Sequence, residues 1–218
     1  MQTVTKSFSK FFFVLLLVVT ISFSISFSSY AQSNTSLGIK GGINIANFRG
    51  EDVEDYDGRT AFNIGAVLNY SITEKAGLSF EADYSSQGAK LDMGTNEATT
   101  KLNYIRTTLL YNYFMGSNDM DIRPKLFVGP SLGFLLNSQN KVGDGDYVDY
   151  PDDTFNSTDF GIAFGAGLHV RVKEGIWFVP DVRYNLGLTD ITKNNLFGSN
   201  STRNGVLSIN VGLTFPLN

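Results

Sequence analysis

Apolar and polar residues alternate along most of the chain after residue 36. Near the start, Leu37, Ile39, Ile43 and Ile45 alternate with glycine, lysine and asparagine. A period of two is typical of a β-strand with one apolar and one polar face. Strands of this kind are predicted to begin near residues 37, 62 and 78, and to cover about 101–115, 123–136, 159–172, 175–187 and 204–216. No stretch has the period of an amphipathic helix.

The seven predicted connections alternate in length. Four are long and rich in Gly, Asn, Asp and Ser, at about 48–60, 88–100, 137–157 and 188–203. Three are short: Ser71–Lys75, Gly116–Ile122 and Lys173–Glu174. All long connections therefore lie at one end of the sheet, as in outer-membrane barrels with short periplasmic turns and longer external loops.

Alternation by itself does not say which face points inward. A soluble lipocalin-like barrel has its apolar face inside, around a ligand, whereas a membrane barrel has it in lipid. Here the apolar face is free of charge, and its aromatic residues gather near the strand ends, as interfacial girdles do. The opposite face is mostly small and glycine-rich. We therefore predict an all-β fold, an eight-stranded antiparallel up-and-down transmembrane β-barrel with a closed polar lumen, short periplasmic turns and four longer extracellular loops.

The first residues have the pattern of a Sec-type signal peptide. Lys6 and Lys10 precede an apolar run, Phe11–Val19, and Ser29-Tyr30-Ala31 fits the small-x-small cleavage pattern. This predicts a signal peptide at 1–31, cleaved before Gln32, and an outer-membrane barrel domain at 32–218. The alternative is a transmembrane anchor, which a serine-rich second half of the segment disfavours.

Composition excludes several classes of chemistry and of partner. Of 218 residues, 17% are charged and 13% aromatic, none is cysteine and one is histidine. Thiol chemistry, disulfides and multi-histidine metal centres are therefore excluded, and a net charge of −4 gives no reason to expect nucleic acid as a partner. The chain has no nucleophile-elbow, phosphate-loop or metal-ligand motif, so we predict neither an enzyme nor a cofactor. His169 is predicted to be structural, because it lies on the small-residue face near a short turn.

The polar face also carries charges of both signs, which would lie inside the barrel. We predict a structural lumenal charge network made of these nine residues: Lys40, Glu81, Asp83, Arg106, Lys125, Asp159, Arg171, Asp181 and Arg183. Charges withdrawn from water must be paired. The network would hold the barrel together; the alternative is a proton or ion path through a narrow pore.

The long connections suggest possible ligands and partners. Two long connections are acidic, one at 51–57 and one at 144–153. Such oxygen clusters either form a solvated negative surface or bind a divalent cation. Outer-membrane lipids and lipopolysaccharide are the expected partners, with an envelope protein as a further partner of the loops.

Pro130 and Pro180 lie inside predicted strands, so each should mark a bulge or a local break.

Four strand segments resemble the PorT-like outer-membrane β-barrel family. They are residues 104–114, which are similar to the family's "YLEIPLLLKYYF" strand, 129–136 ("GPSLGYLL"), 159–167 ("DFG…GAG") and 181–188 ("DARYSLGL"). The resemblance implies an eight-stranded outer-membrane barrel, in a family whose namesake is linked to protein secretion. Arg106 and Thr107-Thr108 replace the family's acidic residue and proline. The expected function is a structural or interaction role at the bacterial cell envelope; the alternatives are a narrow transporter or pore, a secretion-linked barrel and a soluble ligand-binding barrel.

Overall fold

The computed structural model describes residues 34–50, 56–94, 96–117, 119–193 and 201–217. The predicted signal peptide lies outside these residues. In the described part of the chain, no helix has the length and apolar character needed to cross a membrane.

The described residues form one closed antiparallel sheet. Its strands are β1 (Thr35–Arg49), β2 (Tyr56–Ser71), β3 (Ala76–Asp92), β4 (Glu97–Phe114), β5 (Ile122–Val142), β6 (Val148–Asp149), β7 (Thr158–Lys173), β8 (Ile176–Phe178), β9 (Asp181–Gly187) and β10 (Arg203–Pro216). Each strand pairs with its neighbours, and β1 pairs with β10, which closes the barrel. Strands β8 and β9 together occupy one barrel position between β7 and β10, and β6 is a short strand beside the end of β5. The barrel therefore has the eight positions that the alternation predicts.

The apolar face points outward and the polar face inward. On β1, Ile39 is 65% exposed while its neighbour Lys40 is 8% exposed, and on β2 Ile64 is 60% exposed beside the buried Asn63. The predicted inside–outside assignment is thus confirmed, and it is the reverse of a lipocalin-like barrel, in which apolar side chains surround a ligand. The aromatic residues expected at the two ends of the band, among them Tyr70 and Phe134, also point outward.

Several strands run further than the hydropathy pattern indicates. The connection predicted at 88–100 is only the turn between Asp92 and Glu97, because β3 and β4 stay paired to that point. Beyond the apolar band both faces of a strand meet water or loops, so an outward residue need not be apolar. The period of two then disappears from the sequence while the backbone pairing continues. The extended ends of β2 to β5 form a sheet on the side of the long loops.

The two strand prolines behave differently. Pro180 separates β8 from β9, so the predicted break is confirmed there. At Pro130 the strand β5 continues, and its pairing with β4 keeps one register on both sides, between Thr108↔Ser131 and Tyr111↔Val128. Pro130 therefore does not mark a bulge, but the β4–β5 ladder lacks the pairs Leu109–Pro130 and Leu110–Gly129, so the predicted local break is confirmed in this pairing. Proline removes one ladder hydrogen bond without adding a residue, and the actual bulge of this pair lies near Asn103.

Two glycines allow the backbone to come unusually close at these irregular places. A Cβ atom on Gly129, next to Pro130, would lie 1.8 Å from the carbonyl oxygen of Leu109. Gly88 has a φ of +128° and lies opposite the register shift between β2 and β3. Only glycine fits either position without moving a neighbouring strand.

Candidate functional site

The centre of the lumen holds a five-residue ion-pair network. Glu81 on β3 and Arg183 on β9 reach each other from opposite sides of the barrel, with Arg183 Nη1 2.5 Å and Nη2 3.2 Å from the two carboxylate oxygens. The same guanidinium donates to Asp181, at 2.8 Å from both Nε and Nη2. Lys40 on β1 lies 2.6 Å from Glu81 and 3.7 Å from Asp83. All five side chains are buried, and each of the two cations lies between two of the three carboxylates.

A second buried pair lies nearer the long loops. Arg106 on β4 donates from Nη2 to Asp159 Oδ2 on β7 at 2.6 Å, and from Nη1 to Ser131 Oγ at 3.0 Å. Asn204 on β10 donates to the same oxygen of Asp159 at 3.0 Å. This group joins four barrel positions across the lumen.

The structure does not bring two of the nine predicted residues into these groups. Lys125 points inward, but its ammonium lies 3.4 Å from the amide oxygen of Asn112 and 5.3 Å from the centre of the Phe127 ring. Arg171 lies at the short-turn end, with its Nε 3.6 Å from Asp121 and its guanidinium over the Trp177 ring. Asp121 is mostly exposed, so this pair is at the mouth rather than in the lumen.

Neutral polar side chains complete the lumenal hydrogen bonding. Asn44 on β1 is the centre of one such group: its Nδ2 donates to Ser85 Oγ at 3.0 Å, and its Oδ1 accepts from Asn63 at 2.8 Å and from Ser208 at 2.8 Å. Sequence reasoning missed this group, because it considered charges only. The signal was present, since Asn44, Asn63, Ser85 and Ser208 all fall on the polar face of their strands.

An aromatic layer closes the lumen at the short-turn end. The His169 ring lies 5.0 Å from Phe114 and 5.7 Å from Trp177, measured between ring centres. The guanidinium of Arg123 lies 4.8 Å from the centre of the Phe114 ring, and it donates to the carbonyl oxygen of Glu74 in the short turn. Packing between two aromatic rings is consistent with the structural role predicted for His169.

An apolar cap, which the sequence did not predict, closes the end with the long loops. Phe155 from the third long loop and Ile191 from the fourth are 3% and 0% exposed. They pack with four residues on barrel strands, which are Phe48, Ala89, Leu102 and Tyr104. Backbone bonds join the two loops, from Asn156 N to Ile191 O at 2.8 Å and from Lys193 N to Thr154 O at 3.0 Å. The cap therefore folds the two loops over the polar lumen.

Very little empty space remains among the central polar residues. The cavity bounded by Lys40, Asp83, Arg106 and Arg183 has a volume of about 30 Å³. A cavity of that size is large enough for ordered water between its polar groups.

In the described part of the acidic loops, no arrangement for a metal ion is found. Among the described residues, no group of three or more His, Asp or Glu side chains could hold one. In the third loop Asp149 instead accepts a hydrogen bond from Gln139 Nε2 at 2.9 Å. Four acidic residues of the first loop, at 51–55, lie outside the described residues.

Comparison with known proteins gives a family and a fold. A family model described as an outer membrane protein beta-barrel domain matches residues 30–193. Among solved structures, Neisserial surface protein A is 15% identical, with 86% of this chain and 100% of that chain covered and a TM-score of 0.50. The outer membrane protein OprG from Pseudomonas aeruginosa is 16% identical, with 86% and 99% covered and a TM-score of 0.48. No curated protein matches the chain.

Proposed function

We propose, from the premise that the chain belongs to the outer membrane protein beta-barrel domain family, that it is a closed barrel with a structural or interaction role at the bacterial cell envelope. The observation that carries this proposal is the filled lumen. The aromatic layer, the ion-pair network and the apolar cap occupy it from one end to the other. A barrel of this kind offers its neighbours a rigid outer surface and its loops, and it offers solutes no path.

We further propose export through a signal peptide at residues 1–31. The family match and the outward apolar band support a protein that reaches the outer membrane, and the basic, apolar and small-residue segments at 1–31 are those that export requires. Sequencing the N-terminus of the mature protein from an outer-membrane fraction should give Gln32 first. A retained Met1 would exclude cleavage.

Planar-bilayer recording tests the closed lumen. The folded wild-type barrel should produce no reproducible unitary conductance, because the lumenal charges are buried and paired with one another. If the barrel were a pore, the wild type would give stable unitary conductance steps. Arg183→Met would then change their ion selectivity without changing the melting temperature. That result would replace the closed barrel with the narrow transporter.

The resemblance to PorT-like barrels supports a narrower assignment within the family. The four motif segments lie on β4, β5, β7 and β9, which are adjacent strands of the barrel. Arg106, which stands where that family has an acidic residue, pairs with Asp159 of the third motif. Comparing secreted proteins of a deletion strain with those of its parent would test a secretion role. If the two sets of secreted proteins were identical, only the structural or interaction role would remain.

The lipid-facing surface gives a prediction of its own. Leu132 points outward on β5, between Thr107 on β4 and Phe160 on β7. Leu132→Arg should lower the free energy of unfolding by about 1–3 kcal/mol, because the guanidinium would lie in the lipid-facing band just inside the girdle residue Phe134 and lose part of its hydration. Denaturant titration of the barrel in lipid vesicles measures this.

Leu136→Arg is the matched control. Leu136 follows the girdle residue Phe134 on the same strand and is 49% exposed. At the interface the same change should cost only about 0–1 kcal/mol. Equal losses at the two sites would contradict the depth assigned to Leu132. Ser131→Arg is not a suitable control, because Ser131 is buried against Arg106 and a second cation would be placed beside it.

A further inference from the structure

The small polar cavity at the centre of the lumen is large enough for an ion. Its volume is about 30 Å³, and one water-sized sphere needs roughly 10–15 Å³ of such space. A small ion together with a water molecule therefore fits. Among the residues that line the cavity are three asparagines and four charged residues: Asn63, Asn185, Asn210, Lys40, Asp83, Arg106 and Arg183.

The three asparagines have amide oxygens without a hydrogen-bond donor in the described part of the protein. Asn63, Asn185 and Asn210 are 5%, 9% and 2% exposed, and the Oδ1 atom of each is buried and unpaired. The nitrogen of Asn63 donates to Asn44 Oδ1 at 2.8 Å, and that of Asn210 donates to Asp181 Oδ1 at 2.9 Å. Neither acceptor could donate to an oxygen, so these two amides cannot be turned over. Buried oxygens of this kind need a partner that the protein itself does not supply.

Gly42 on β1 lets two of these amides lie close together. It pairs with Asn63 on β2 and with Asn210 on β10. A Cβ atom on Gly42 would lie 2.5 Å from Asn210 Oδ1, so the amide oxygen occupies the space of the missing side chain. Asp83 on β3 pairs with Gly65, which is two residues from Asn63 on the same face of β2. The backbone therefore places one carboxylate and two amides at neighbouring positions of the inner face.

The charge of Asp83 is only partly compensated. In the described part of the chain, the cation nearest to its carboxylate is Lys40, at 3.7 Å, which is beyond hydrogen-bond distance. Lys40 lies closer to Glu81, at 2.6 Å. The two guanidinium groups that border the cavity donate to other carboxylates. Asp83 is thus the carboxylate of the cavity wall that has no cation of its own.

The two ion-paired groups together have one negative charge in excess. They contain three cations and four carboxylates. Lys125 also points into the lumen, but its ammonium contacts Asn112 Oδ1 at 3.4 Å, and it is outside the described wall of the cavity. A charge withdrawn from water needs a counter-charge nearby. One positive charge in the cavity would supply it.

We propose that this cavity binds one monovalent metal cation of the sodium type, held by the Asp83 carboxylate and by the amide oxygens of Asn63, Asn185 and Asn210. Carboxylate and amide oxygens are the ligands that hard cations take in proteins. One carboxylate and one excess charge fit a monovalent ion, whereas Ca²⁺ takes about six to eight oxygens. The bound ion would join β2, β3, β9 and β10 across the lumen. This inference goes beyond the envelope role and does not depend on it.

Urea unfolding of the detergent-folded barrel in two salts tests the site. One titration contains roughly 0.15 M sodium chloride, and the other contains the same concentration of tetramethylammonium chloride, whose cation is too large for the cavity. A ligand that binds only the folded state raises the ratio of folded to unfolded protein. For the wild type at a fixed urea concentration, this ratio should be at least about tenfold higher in sodium chloride. The fluorescence of Trp177, the single tryptophan, reports it.

Three variants locate the effect. Asp83→Asn removes the charged ligand and should reduce the sodium gain to less than about twofold. Asn63→Ala removes one oxygen ligand and keeps every charge, so its sodium gain should be smaller than that of the wild type. Asn112→Ala is the matched control, because Asn112 is also buried in the lumen but is outside the described wall of the cavity. It should keep the full sodium gain, even where its stability in both salts is lower.

Each of the other results would overturn the proposal. Equal stability of the wild type in the two salts would mean that the cavity holds water only. A full sodium gain in Asp83→Asn would mean that the ion binds elsewhere. Loss of the gain in Asn112→Ala would mean that any weakening of the lumen removes it. If Asp83→Asn does not fold, Asn63→Ala and Asn112→Ala decide the question, and equal sodium gains in these two variants would overturn the site.

Discussion

Arg183→Met is expected to lower the free energy of unfolding of the detergent-folded barrel by about 3–5 kcal/mol. Arg183 is the link between β3 and β9, since its guanidinium binds Glu81 and Asp181 at the same time. The substitution leaves Asp181 buried without a cation, while Glu81 keeps only Lys40. Denaturant titration followed by the fluorescence of Trp177, the single tryptophan, measures the loss.

Two further variants separate charge from packing. Arg183→Met with Asp181→Asn should recover part of the loss, because the uncompensated carboxylate is removed as well. Arg171→Met is the matched single change at the barrel mouth, where the partner Asp121 is mostly exposed, and it should cost less than about 1 kcal/mol. If both arginine variants lost the same stability, burial of the central network would not be what makes Arg183 important.

Within the apolar band, the fold of the barrel can be predicted from the sequence alone. There, each outward side chain meets lipid and each inward side chain meets the lumen, so hydropathy has the same period as the pleat. Eight positions, their connections at the short-turn end and the inward direction of residues such as Lys40 and Glu81 follow from this rule. The rule fails above the band, which is why the sequence predicts a loop where the strand ends near Asp92 and Glu97 are still paired.

Prediction of the candidate site was limited by side-chain reach. Alternation gives the face of a residue and the turn lengths give its depth. Seven of the nine residues predicted in this way form the two ion-paired groups. They do not say where a long side chain ends. Lys125 contacts Asn112 and Phe127 instead of a carboxylate, and Arg171 extends to the mouth.

The apolar cap could not be predicted, because its members come from segments with no common period. Phe155 and Ile191 lie in long loops, 36 positions apart, and each is isolated among polar residues. What joins them is a pair of backbone hydrogen bonds between the two loops, from Asn156 N to Ile191 O at 2.8 Å and from Lys193 N to Thr154 O at 3.0 Å. Contacts of this kind depend on how two loops meet over a lumen already formed.

Phe155→Ala should open the cap without opening the barrel. Phe155 is 3% exposed, and its ring makes an edge contact with Tyr150 at 5.1 Å between centres. Truncating a buried phenylalanine costs about 3–5 kcal/mol of stability. Here it should destabilise the docking of the two loops by that amount. The loops should therefore open more often, and trypsin should cleave after Lys193 about a hundredfold faster or more.

Val148→Ala supplies the control, since Val148 lies in the same loop and is 63% exposed. It should leave the cleavage rate within a few-fold of wild type, because little apolar surface is lost. The barrel strands of Phe155→Ala should stay protected from trypsin, and bilayer recordings should stay silent, because the ion pairs of Arg183 and Arg106 lie below the cap. Unitary conductance in Phe155→Ala would contradict this, and it would make the cap, rather than the central network, the element that closes the lumen.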